Sequence, residues 1–73
     1  MLKELINMVL SSDITFGHPI TYFDAKQIAF AAVDRDVYAV RDLIVKITGD
    51  NSEWMRNKAY HLAEEMKRHY YSN

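Results

Sequence analysis

Between Ser52 and Tyr71 the apolar residues recur at helical spacing: at about 100° per residue, Met55, Ala59, Leu62, Met66 and Tyr70 stack into one stripe with Ala63 at its border. That stripe is a core face. Upstream, Val37, Val40, Leu43, Ile44 and Ile47 give a second stripe on a helix from Val37 to Thr48, for which Asp36 is a suitable N-cap and Gly49 a left-handed C-terminal residue. Asp50 followed by Glu53 offers a capping-box-like start for the last helix. The short connection makes these two helices an antiparallel hairpin, in which Leu43 and Leu62 are expected to meet in the core.

Thr21 followed by Asp24 resembles a capping box and predicts a helix from Tyr22 to about Val33. It contains Phe23, Ala25, Ile28, Ala29, Phe30, Ala31, Ala32 and Val33, with only Asp24, Lys26 and Gln27 polar. A helix apolar nearly all round belongs at the centre of a bundle. Phe23, Phe30 and Val33 nevertheless face away from Ile28 and Ala32. The N-terminal segment, with Leu2, Leu5, Ile6, Val9 and Leu10, forms a further helix to about Ser11. Between these two helices, residues 13–21 are irregular or briefly extended, since Gly17 and Pro19 break a helix while Ile14, Thr15, Ile20 and Thr21 favour extended backbone. A two-stranded pairing across Gly17–Pro19 would need other elements to hold it. The fold class is therefore all-α: one domain over residues 1–73, a small bundle of about four helices.

Seventy-three residues bury a small core. Domains of this size usually gain stability from disulfides, metals or association. With no cysteine, disulfides and thiolate zinc sites are excluded, which leaves a homodimer or a partner protein. The cysteine-free composition fits a reducing compartment, and a cytoplasmic location is expected. The first twelve residues, interrupted by Glu4 and Asn7, are expected to be neither a signal peptide nor a membrane span. Nine basic and ten acidic residues give a net charge of −1, so no global field draws the chain to nucleic acid. Only the last helix is faintly basic, with Arg56, Lys58, Lys67 and Arg68 against three glutamates.

Motifs add little chemistry. The run AAVDRDVYAVRDLI resembles the helix-turn-helix part of an ankyrin repeat, but Arg35 stands where that repeat has its turn glycine and the upstream threonine-proline start is missing. A lone unit implies an αα-hairpin and no solenoid. Gln27-Ile28-Ala29 ahead of a turn and Tyr38 and Arg41 is similar to a DNA-reading helix-turn-helix. There Asp34, Asp36 and Asp42 would meet phosphates unfavourably. His61, Glu65 and His69 form an i, i+4, i+8 row with metal-ligand spacing, for which only His18 could supply another imidazole. No glycine-rich phosphate loop or cysteine nucleophile is present, and Ser11, Ser12, Ser52 and Ser72 lie where helices begin or end. No catalytic residue, metal ligand set or cofactor is assigned, and the chain is read as a non-enzyme.

The surplus on the last helix carries the functional reading. Arg56, Tyr60, Lys67 and Tyr71 form a row off the core stripe, with Trp54 as a neighbouring anchor. Tyr38, Arg41 and Val45 on the preceding helix form a second candidate surface. Tyrosine, tryptophan and arginine dominate interface hot spots. A protein-protein interaction module acting as a regulator, adaptor or inhibitor is expected, with Tyr60 and Tyr71 replaceable without loss of stability. The alternatives are single-stranded nucleic-acid binding through Arg56, Lys58, Lys67, Arg68, Tyr60 and Tyr71, and metal binding at His61, Glu65 and His69.

Overall fold

The computed structural model describes residues 1–72 and contains four α-helices: α1 (Leu2–Leu10), α2 (Tyr22–Asp34), α3 (Val37–Thr48) and α4 (Glu53–Tyr71). A single 3-10 turn, Asp13–Thr15, follows α1, and no strand occurs among the described residues. The extended pairing allowed for residues 13–21 does not form. Instead the Ser12 and Thr15 hydroxyls donate to the carbonyls of Val9 and Ser12, at 2.7 and 2.8 Å, and wind the chain into a tight turn. Such local hydroxyl bonds compete with strand formation. The turn also drives Ile14 into the core at 1% exposure.

Each helix start has a side-chain cap except that of α1, where Met1 supplies none. Thr21 Oγ1 accepts from the Asp24 amide, and Asp36 Oδ1 accepts from the Ala39 amide at 2.8 Å. At α4 the cap is Ser52, whose hydroxyl accepts from the Met55 amide. Asp50, expected to do this, lies two residues too early and its carboxylate accepts from the Ser52 amide instead. Gly49 ends α3 at φ 72°, a left-handed conformation in which any side chain would be strained.

At 1.5 Å per residue α4 is about 28 Å long, close to the 32 Å long axis of the molecule. Against it α3 folds back as the expected antiparallel hairpin, and α1 and α2 pack on each other and on α4 to close one core. Met55, Ala59, Leu62, Ala63 and Met66 of α4 meet Val40 and Ile44 of α3, Leu5, Ile6 and Val9 of α1, and five residues of α2. No polar side chain is buried among the described residues. Leu43 is less covered than a core position would be. It packs against the core but is only half-buried, and it lines a shallow groove with Gln27, Ala31, Asp34 and Arg35 on the α2 side.

Four of the five buried residues of α2 are alanines, which let α1, α3 and α4 approach closely, while Ile28 fills the centre. Its large residues are on the other side: Phe23 is 66% exposed and Phe30 52%. The helix is central yet uncovered on one face.

Three long-range side-chain pairs fasten the N-terminal part to the α3–α4 hairpin: Glu4 with His69 at 2.6 Å, Asp13 with Lys58 at 3.0 Å and His18 with Asp50 at 3.0 Å. The His69 hydrogen bond and charge hold the Glu4 carboxyl below its ordinary value of 4.5. Hydrogen bonds from the Ser52 amide and hydroxyl, then His18, hold Asp50 below 3.8. Both folded values lie under the unfolded ones, so this contribution is complete above the ordinary carboxyl range and lost as pH falls through the folded values. The melting temperature is expected to be level from neutrality to about pH 5 with respect to these groups and to fall below about pH 4. Glu4→Gln with Asp50→Asn should flatten that acid limb. An unchanged limb in thermal melts would remove these carboxylates as its cause.

Candidate interaction surface on the α3–α4 seam

The functional candidates of α3 and α4 come together because the hairpin is antiparallel. Arg41 lies eight residues before Gly49 and Tyr60 eight after Ser52, so the turn brings them level. Tyr38, one turn before Arg41, packs its ring on Tyr60 with centroids 5.4 Å apart and planes inclined at 52°. The Arg41 guanidinium lies 5.3 Å from the Tyr38 centroid, within cation–π range. His61 meets the Tyr60 ring edge-on at 5.7 Å. Arg41, Glu53, Arg56, Asn57, Tyr60 and His61 together line an open groove of about 540 Å³.

Electrostatics within this surface are mixed. Arg41 donates through Nε and one Nη to the same Asp42 oxygen, at 3.1 and 2.9 Å. The Glu64 carboxylate beside Tyr60, followed by desolvation and Tyr38, raises the Tyr60 phenol above its ordinary value of 10.0, so its hydroxyl stays a proton donor. Glu64 also approaches His61, at 3.7 Å, in place of the i,i+4 pair with Arg68 that its spacing allows. Arg56 is exposed, and its guanidinium has no ion-pair or hydrogen-bond partner among the described residues.

The row Arg56, Tyr60, Lys67, Tyr71 divides into two parts with different surroundings. Arg56 and Tyr60 join Tyr38 and Arg41. Lys67 and Tyr71 lie toward the end of α4, Tyr71 about 16 Å along the helix from Tyr60, where they bind the α2–α3 turn. The Lys67 amine donates to the Arg35 carbonyl, and the Tyr71 hydroxyl donates to the Val33 carbonyl at 2.9 Å. The last carbonyls of a helix lack intrahelical partners, and α4 supplies donors for this end of α2. The Tyr71 ring stands edge-on to Tyr70 and remains largely exposed.

Trp54 occupies a third side. Lys58 Nζ lies 5.8 Å from its ring and also pairs with Asp13 of the 3-10 turn, and Trp54 is not among the residues lining the seam groove. Val45 is half-buried against the core and offers little to a partner. The metal-spaced row is split as well, since His69 turns onto Glu4 of α1 while His61 stays with Glu64 and Tyr60. No group of three potential ligands is placed to hold a metal ion among the described residues.

Sequence reasoning kept Tyr38 and Arg41 apart from Tyr60, and left out Asn57, Glu53 and His61 from the partner surface. The hairpin count outward from Gly49 and Ser52 sets Arg41 and Tyr60 at one height, and packing decides which faces meet there. No protein-family model, curated protein or solved structure matches the chain significantly.

Proposed function

We propose that this chain is a small protein-protein interaction module, binding a larger protein as a regulator, adaptor or inhibitor, with no catalytic role of its own. The observation that supports it is the Tyr38–Tyr60–Arg41 cluster, which joins two of the three residue types enriched in hot spots beside an accessible groove. Arg56 extends the surface, while Tyr71 and Trp54 offer exposed rings at its far end and on a neighbouring side. Homodimerisation belongs to the same reading: a second copy would cover Phe23 and Phe30, and sedimentation equilibrium tests it. No described helix is long and apolar enough to cross a membrane, and a cytoplasmic setting is the location proposed.

The nucleic-acid alternative draws less support. Lys58 is committed to Asp13 and Lys67 to the Arg35 carbonyl, on different sides of α4, so the basic residues do not make the continuous track that a phosphate backbone follows. The experiment is capture by the immobilised chain after nuclease treatment. A protein retained through moderate salt and released by Tyr60→Ala is the expected result. Capture of RNA or single-stranded DNA, lost steeply with salt, would instead support the alternative.

A further inference from the structure

The geometry points to the α3–α4 groove as a carboxylate-binding site for an acidic, apolar-flanked segment of a partner protein, with Arg56 and Arg41 as the carboxylate ligands and Tyr60, packed on Tyr38, as the apolar wall. This rests on the reading of the seam as an interface. Arg41 comes from α3 and Arg56 from α4, so two guanidiniums face one groove from separate helices. A guanidinium carries five N–H donors in a planar fork suited to a carboxylate. Arg56 spends none of them on a partner among the described residues, and Arg41 spends two on a single Asp42 oxygen.

The uncommitted Arg56 fork and the N–H groups that Asp42 leaves on Arg41, beside the Tyr60 ring, form a site for an acceptor, and charge-assisted bonds of this type are the strong ones. Asn57 adds an amide on the same lining, and Tyr60 a protonated hydroxyl. Glu53 on one wall and Glu64 beside Tyr60 limit how much negative charge the groove accepts. A single carboxylate side chain flanked by apolar residues suits that balance better than a run of phosphates. Tyr38 and Tyr60 give the flanking residues a surface to cover.

The test is an amide-resolved NMR titration of the full chain with the peptide N-acetyl-Leu-Glu-Leu-Leu-amide. Its neutral isostere, N-acetyl-Leu-Gln-Leu-Leu-amide, and an oligothymidylate are run in parallel. The acidic peptide is expected to shift the amides of Arg41, Arg56, Asn57 and Tyr60 and to bind about tenfold or more tightly than its isostere, the difference that charged hydrogen bonds make. Arg56→Gln should abolish the preference and Arg56→Lys restore part of it. Both variants should melt with the parent, because Arg56 contacts no other described element through an ion pair or hydrogen bond.

Equal binding of the two peptides at these amides overturns carboxylate recognition and leaves the seam an interface. Absence of shifts from either peptide, with partner capture still lost in Tyr60→Ala, overturns the carboxylate site alone. Absence of shifts with capture unaffected by Tyr60→Ala overturns both. Stronger binding of oligothymidylate at the same amides overturns the choice of a protein segment.

Discussion

Leu62→Ala is expected to lower the unfolding free energy by about 2–5 kcal/mol, and Leu43→Ala by only about 1 kcal/mol. Leu62 is 6% exposed between the buried faces of the bundle, and its removal leaves a cavity that the short alanine-rich neighbours cannot fill. Leu43 stands at the rim of a groove toward α2 and already meets water on one side. In a domain whose total stability is on the order of 5–15 kcal/mol, the first change should lower the melting temperature by about 10 °C or more. Urea unfolding of the two variants checks the difference. Equal losses would place Leu43 in the hairpin core after all.

Tyr60→Ala is expected to weaken partner binding by about 1–3 kcal/mol, the range of an interface hot spot. The tilted Tyr38 pair gives Tyr60 a stability role too, and such pairs contribute about 0.5–1.5 kcal/mol. Tyr71→Ala should show the reverse balance. Its hydroxyl satisfies the Val33 carbonyl at the end of α2, so stability falls by about 0.5–1.5 kcal/mol while affinity changes less. Tyr71→Phe isolates the hydroxyl: it should reproduce most of the stability loss and keep the ring for a partner. Calorimetric titration with the captured partner, set beside thermal melts, separates the two effects. Full affinity in Tyr60→Ala would move the interface off the seam.

These expectations differ from the sequence reading, in which Tyr60 and Tyr71 were equivalent members of one off-core row. Helical periodicity assigns an angle around α4 and says nothing of what lies beyond its surface. Tyr60 and Tyr71 share a side of the helix, yet one meets α3 and the other the end of α2. Their roles diverge because two different elements cross that side at different heights.

The features legible in the chain are local: the four helices, the caps at Thr21 and Asp36, the left-handed Gly49 and the apolar stripe from Met55 to Met66. Each follows from contacts within four residues or from a burial pattern that the chain carries in its own periodicity. The 3-10 turn that replaced an extended pairing depended on hydroxyl bonds at Ser12 and Thr15, whose competition with strand formation periodicity does not register. Tertiary structure alone decided that Tyr38 and Arg41 meet Tyr60, that Lys67 and Tyr71 cap another helix, that His69 pairs with Glu4, and that Phe23 and Phe30 remain uncovered. These depend on how helices whose meeting residues lie 22 to 65 positions apart in sequence are set against one another, through packing of alanine faces that specify close approach without naming the neighbour.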